Sequence, residues 1–188
     1  MKETIKKEFL EHQKVANLLP NLTEDIASSA KLCINCLQNG GKILLFGNGG
    51  SAADAQHIAA ELVGSFKAHR NGLAAIALTT DSSSLTSISN DFGFKHVFDR
   101  QVQALAKQGD VVIGISTSGK SDNVINALKL ASKLKCHTIG FSGNSGGEMN
   151  KVCDINIIAP SNNTPRIQEI HIVIGHTICL LIDQKFKN

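Results

Sequence analysis

The sequence predicts an α/β fold built on a mostly parallel sheet of about five strands. Short apolar segments typical of buried strands alternate along the chain with longer segments of helical periodicity. One such segment, Val111 to Ile115, is apolar throughout, which is typical of a parallel strand covered by helices on both faces. The 188 residues are enough for one domain with a sheet covered in this way.

Two helices are predicted ahead of the first strand, within residues 1–40. Apolar positions recur among charged ones from residue 2 to residue 19, and Pro20 ends this first helix. A second helix begins near Thr23, with acidic residues in its first turn, and Asn39-Gly40-Gly41 stops it. These helices need an apolar surface to cover, so we expect them to pack on the sheet and at a subunit interface.

The strands and helices then alternate to the end of the chain. The predicted strands are Ile43 to Phe46, Leu73 to Leu78, Val111 to Ile115, His137 to Phe141 and Asp154 to Ile158. The predicted helices begin at Ser51, at Asp81 or Ser82, around His96 (to Ala106), near Ser121 (to Leu134) and at Thr164 or Pro165 (to Lys185). Without repeats or linkers, residues 1–188 are expected to form a single domain.

Composition and charge exclude several classes of function. The net charge is +3, basic and acidic residues are interleaved, and Trp and Tyr are absent, which argues against a nucleic-acid groove. No segment approaches the roughly 18 apolar residues of a membrane span, and the charged N-terminus is unlike a signal peptide. We therefore expect a cytoplasmic protein without nucleic-acid or membrane partners. The five cysteines, an odd number, are expected to be buried and reduced.

The segment Lys42 to Leu62 carries the first functional signal. A strand, a glycine-rich turn and a helix beginning at Ser51 follow one another, an order that directs backbone N–H groups and a helix dipole toward an anion. His57 and Glu61 lie one turn apart on the same face of this helix. An anion at the turn would thus have an imidazole and a carboxylate nearby, which suggests chemistry on a phosphorylated small molecule.

A second loop, Ser116 to Ser121, combines hydroxyl groups with a helix start, and it either binds a phosphate or caps its helix. Residues 47–52 also fit the dinucleotide pattern G-x-G-x-x-A, but Lys67 stands near the position where an acidic residue would hold the ribose. A P-loop is excluded because no Lys-Ser or Lys-Thr follows the glycines. A nucleotide is therefore the weaker candidate.

The last helix places Gln168, Glu169, His171 and His176 in a largely apolar segment. A histidine in such a helix is by default an interior or interface side chain. Together with His57 and Glu61, His176 would nevertheless make a zinc site or an acid/base pair. Gln168 lies eight residues before His176, about 12 Å along a helix axis, which is a long span for one small site.

Several ordered blocks resemble the sugar isomerase (SIS) domain family. They are G-N-G-G-S with D-A-Q-H-I-A-A-E-L, then S-N-D-F-G, G-D-V-V-I-G-I-S-T-S-G-K-S-D-N-V and R-I-Q-E-I-H. More specifically, these blocks resemble the phosphoheptose isomerases, which convert sedoheptulose 7-phosphate to D-glycero-D-manno-heptose 7-phosphate at the start of ADP-heptose and lipopolysaccharide core synthesis. The resemblance extends over nearly the whole chain.

The resemblance implies a three-layer α/β/α subunit, a homotetramer with active sites at subunit contacts, and one zinc ion per subunit. By motif position, it implies Glu61 as the base and His176 as the acid of an enediol proton transfer. The implied zinc ligands are His57, Glu61, Gln168 and His176. The implied substrate contacts are Asn48, Gly49, Gly50, Ser51, Glu61, Asn90, Asp91, Ser116, Thr117, Ser118, Ser121 and Gln168.

Two other functions stay open at this point. A related branch of the fold binds the replication initiator without catalysis, and its members lack the acid and base that Glu61 and His176 supply here. The chain could also isomerise a different phosphosugar, since pocket shape sets the accepted chain length.

Overall fold

The computed structural model describes residues 1–187, which form seven α-helices, five β-strands and three short 3-10 segments. The helices are α1 (Lys2–Ala16), α2 (Thr23–Gln38), α3 (Gly50–Val63), α4 (Ser82–Phe92), α5 (Asp99–Leu105), α6 (Asp122–Lys133) and α7 (Thr164–Phe186). The strands are β1 (Ile43–Gly47), β2 (Ala75–Ala77), β3 (Val111–Ser116), β4 (His137–Ser142) and β5 (Ile155–Ile158). Within residues 1–187 no helix is both long and apolar enough to cross a membrane.

All five strands pair in parallel in the order β2-β1-β3-β4-β5, so the predicted parallel sheet is confirmed. Ile43 of β1 is in register with Ala75 on one side and Val111 on the other. β2, which follows β1 in the chain, therefore lies on one side of β1, and β3, the next strand, lies on its other side. In open parallel sheets this reversal opens a crevice at the carboxyl ends of the two strands, where ligands bind.

Alternate residues of β1 pack into two separate hydrophobic cores, one on each face of the sheet. Ile43 and Leu45 pack with buried side chains of α2, α3 and α7, whereas Leu44 and Phe46 pack with those of α5 and α6. The period of two along a strand thus divides the helices between the two faces of the sheet. The result is the three-layer α/β/α sandwich that the family resemblance implied.

The segments between β2 and β3 and after β4 differ from the sequence prediction. The helix expected from His96 to Ala106 is instead a 3-10 turn, Phe94–His96, followed by the shorter α5. After β4, where no helix is predicted, lies the 3-10 segment Asn144–Lys151, which positive φ angles at Ser145 (66°) and Gly146 (86°) interrupt. All five cysteines are free as predicted. Four of them are also buried as predicted, whereas Cys153 is partly exposed.

Candidate active site

Two amide side chains form hydrogen bonds with each other across the crevice between β1 and β3. Asn48 follows β1, and Asn123 lies in the first turn of α6, beyond β3. Each Nδ2 group donates to the other residue's Oδ1, and both hydrogen bonds are 2.9 Å long. This reciprocal pair fixes the glycine-rich turn relative to the N-terminus of α6.

The glycine-rich turn brings backbone close to α7. Gly49 is the N-cap of α3 and has φ 56° and ψ −120°, a conformation that side chains disfavour. A Cβ atom on Gly50 would lie 2.4 Å from Nε2 of Gln168. Gln168 therefore lies against the start of α3, where free backbone N–H groups favour an anion.

The loop Ser116–Ser121 presents several hydroxyl groups to the same crevice. Ser116 Oγ lies 3.0 Å from Ser121 Oγ and 3.5 Å from Ser118 Oγ. The Asn144 side chain donates to the Thr117 carbonyl (3.1 Å), which supports the loop from the segment after β4. Hydroxyl groups at the N-terminus of the twelve-residue α6 form a surface suited to a phosphate.

A second polar cluster lies further along α3, where His57 and Glu61 meet His176 of α7. The Nε2 atoms of the two histidines are 3.3 Å apart, and His57 Nε2 lies 3.2 Å from Glu61 Oε1. One ligand atom from each of the three side chains lies within 4.8 Å of the others. The His57 side chain is 49% exposed and that of Glu61 23%, so the cluster lies at the surface of this chain.

These distances fit a tetrahedral zinc ion. With Zn–N and Zn–O bonds of about 2.0–2.1 Å, two ligand atoms on one ion lie about 3.3–3.4 Å apart. The two short separations at His57 Nε2, 3.3 and 3.2 Å, are close to this value. Two imidazoles and one carboxylate are also a donor set that zinc commonly takes at catalytic sites.

The structure does not bring Gln168 to the three clustered side chains within one chain. Gly50 contacts Gln168, and Ile58 contacts Gly175, so α3 and α7 run side by side in the same direction. Gln168 thus lies at the level of Gly50, while His57 lies seven residues or about 10 Å further along α3. The four side chains that the resemblance implied as zinc ligands divide into a cluster of three and a separate glutamine.

Comparison with known proteins shows the family to which the chain belongs. The sequence model of the SIS domain matches residues 11–143. A phosphoheptose isomerase of Aliarcobacter butzleri is 58% identical over 189 residues, covering 100% of both chains. One of Campylobacter jejuni is 56% identical and covers 97% of this chain and 98% of its own. The chain belongs to the phosphoheptose isomerase family.

Solved structures of phosphoheptose isomerases have the same fold. The enzyme from Neisseria gonorrhoeae superimposes with a TM-score of 0.93 at 46% identity, over 97% of this chain and 98% of its own. That from Francisella tularensis gives a TM-score of 0.94 at 38% identity, over 97% of both chains. The family membership thus holds for the whole architecture, from α1 to α7.

Two further residues that the family resemblance implied lie outside both groups. Asn90 and Asp91 are in the last turn of α4, exposed, with Asn90 Nδ2 donating to Asp91 Oδ1 at 2.7 Å. They belong to α4 because that helix, capped by Asp81, continues to Phe92. Their contact with substrate stays a prediction.

Two side chains beside the cluster were missed from the sequence. Asp54 lies three residues before His57 on α3; burial raises the pKa of its carboxyl to about 6, and the nearby His57 opposes that shift. Helical spacing alone could have indicated Asp54. Phe66 stacks on His176, with ring centroids 5.0 Å apart and planes at 17°. Only the tertiary structure reveals Phe66, because it follows α3 in an irregular segment.

Proposed function

We propose that this chain is an aldose–ketose isomerase that converts sedoheptulose 7-phosphate to D-glycero-D-manno-heptose 7-phosphate, an early step toward lipopolysaccharide core sugars. The observation that carries the proposal is the convergence of His57, Glu61 and His176 at hydrogen-bond distances. This convergence occurs in a chain whose relatives, at 58% and 56% identity, are named phosphoheptose isomerases. Sequence identity of this extent supports the same substrate.

The reaction requires a base and an acid that face the same two carbon atoms. One proton moves between C1 and C2, and another moves between the two oxygens, through an enediol. Glu61 is the proposed base and His176 the proposed acid, with donor atoms in one cluster less than 4.8 Å wide. That width suits two adjacent carbons, because each group is then within hydrogen-bond reach of its own proton.

The phosphate is proposed to bind in the crevice between β1 and β3. The hydroxyl groups of Ser116, Ser118 and Ser121 and the backbone N–H groups at the start of α6 would hold it. Asn48 to Ser51 would form the opposite wall, with Thr117 and Gln168 as further contacts. These hydroxyl and N–H groups would bind the phosphate through their dipoles, so phosphate binding would need no charged side chain.

The cluster is also proposed to hold one zinc ion per subunit through His57, Glu61 and His176. When bound, zinc would act as a Lewis acid on the substrate oxygens. We propose that the fourth ligand, Gln168, comes from another copy of the chain, because within one chain it lies at the start of α3. Since a tightly held carboxylate is a poor base, Glu61 is proposed to be the weak ligand.

Assembly as a cytoplasmic homotetramer accompanies this proposal. The three clustered side chains lie at the surface, and a second copy could close the site over them. Large apolar side chains on α1 support such an association, because Phe9 and Leu10 are 71% and 57% exposed.

The test is incubation of the zinc-loaded protein with sedoheptulose 7-phosphate in D₂O, followed by NMR. The expected product is an aldoheptose phosphate that carries deuterium at C2, since the base exchanges its proton with solvent during enediol transfer. Glu61→Gln should form product at least about 100-fold more slowly, whereas Glu148→Gln, at an exposed glutamate paired with Lys151, should react normally. Absence of product with the wild-type chain would contradict the proposal and favour another phosphosugar or a binding function.

A further inference from the structure

The segment 64–72, which connects α3 to β2, is anchored by a buried carboxylate of α7. Asp183 Oδ2 accepts hydrogen bonds from the backbone N–H groups of Lys67 (2.6 Å) and Ala68 (3.0 Å). Its Oδ1 accepts from Nε of Arg70 at 2.6 Å. The side chains of Asp183 and Arg70 are 1% and 0% exposed. A segment without helix or strand is thus held at three points in the protein interior.

Arg70 extends this anchor to the last turn of α3. Its Nη1 donates to the Leu62 carbonyl (2.8 Å) and its Nη2 to the Glu61 carbonyl (2.8 Å). The carboxylate partner, Asp183, is on α7, seven residues beyond His176. The ion pair therefore links the end of the helix that carries Glu61 to the helix that carries His176. A buried pair is tolerated when hydrogen bonds saturate it, as they do here.

The anchored segment places one aromatic ring against the cluster. Phe66 immediately precedes Lys67, whose N–H group Asp183 holds, and its ring lies nearly parallel to the His176 imidazole at 5.0 Å. His57 meets the same imidazole edge-on, with ring centroids 4.9 Å apart and planes at 79°. Two ring neighbours in different orientations restrict rotation of His176 about its terminal side-chain torsion, which is otherwise broad.

We propose that Phe66, held by the Asp183–Arg70 pair, is a positioning residue that orients the His176 imidazole so that Nε2 faces His57 and Glu61. This inference rests on the proposed function, because it assigns Phe66 a role in that acid, base and metal cluster. A residue that only fills space would leave the orientation of His176 unchanged when replaced by another apolar side chain. The two roles therefore differ in what Phe66→Leu does to the cluster.

The experiment compares wild type with Phe66→Leu, first as metal-free proteins. The ring protons of His176 should lose the ring-current shift from Phe66, and their NMR signals should broaden as the imidazole samples more rotamers. Titration with cobalt(II), used as a spectroscopic substitute for zinc, should show about 10-fold weaker binding. With substrate, kcat should fall about 10-fold while KM stays within about 2-fold, because the phosphate contacts are untouched.

Phe66→Tyr keeps the stacked ring and should restore the NMR shift, the cobalt affinity and kcat. Phe186→Leu is the matched control, because Phe186 is a partly buried phenylalanine packed on the same core but ten residues, or about 15 Å, beyond His176 along α7. This control should leave all three measurements unchanged. If unfolding prevents measurement of Phe66→Leu, Phe66→Met provides an unbranched apolar replacement that adapts to the same space.

Unchanged His176 signals and cobalt affinity in Phe66→Leu would overturn the inference, even with a fully active wild type. An inactive wild type would instead contradict the proposed function. The metal-free NMR comparison would still test whether Phe66 orients His176 in that case. The two failures are therefore distinguishable.

Discussion

His171 should make the stability of this fold dependent on pH in a mildly acidic range. It lies on α7 between Gln168 and His176, is 0% exposed, and has its Nε2 atom 3.0 Å from the Ser142 carbonyl. Its Nδ1 atom is buried and has no hydrogen-bond partner among the described residues. Burial lowers the pKa of this imidazole to about 4, although the bond to Ser142 opposes the shift.

The sign and size of the effect follow from the two pKa values. Unfolded His171 titrates near the ordinary value of about 6.5, so between that pH and about 4 the unfolded chain binds the extra proton. Stability is therefore lost as the pH falls through this window. The full shift corresponds to about 3 kcal/mol, of which about 2 kcal/mol is lost between roughly pH 7 and pH 5.

The assay is urea unfolding of metal-free wild type and His171→Gln at both pH values and one protein concentration. The difference in unfolding free energy between the two proteins isolates His171, because Asp54, whose raised pKa of about 6 has the opposite effect on stability, is present in both. The free energy of unfolding of wild type minus that of His171→Gln should be about 2 kcal/mol lower at about pH 5 than at about pH 7. A difference that is constant to about 0.5 kcal/mol would refute the assignment of His171 as a buried neutral imidazole.

Three further predictions concern the site. Glu61→Gln should lower kcat at least about 100-fold with little change in substrate affinity by calorimetry; retained turnover would remove Glu61 as the base. The double change Ser118→Ala and Ser121→Ala should raise KM about 10-fold or more with a smaller effect on kcat, and an unchanged KM would place the phosphate elsewhere. Gly50→Ala should lower kcat/KM about 10- to 100-fold, because the new Cβ displaces Gln168; normal kinetics with an unchanged melting temperature would show that Gln168 adapts freely.

The order and type of the main elements were predictable from the sequence. Apolar runs and helical periodicity located all five strands. The helix predicted to begin at Asp81 or Ser82 begins at Ser82, with Asp81 as its N-cap accepting from the backbone N–H of Ser84. The bounds around His96 were wrong because the apolar spacing continues across a break that the backbone makes at residues 97–98. The local sequence pattern therefore predicted the order and type of the main elements but not the ends of every helix.

The candidate site was predictable only in part. His57 and Glu61 are one turn apart, so helical spacing places them together, and His176 then joins them through the packing of Gly175 on Ile58. The distance between Gln168 and His176 was foreseen from the helical rise and persists in the fold. The Arg70–Asp183 pair spans 113 residues, and neither position carries a local signal for burial. Such long-range pairs become visible only when the helices are packed.

The amide pair between Asn48 and Asn123 is also a position where chemical damage during storage would change the site. Asn48 precedes Gly49, and an asparagine followed by glycine is chemically prone to lose its side-chain nitrogen as ammonia and become aspartate or isoaspartate. The product would have no Nδ2 donor for Asn123 Oδ1, so one of the two 2.9 Å bonds would be lost. It would also add a negative charge beside the proposed phosphate position. Stored protein would then lose affinity for anions at this turn.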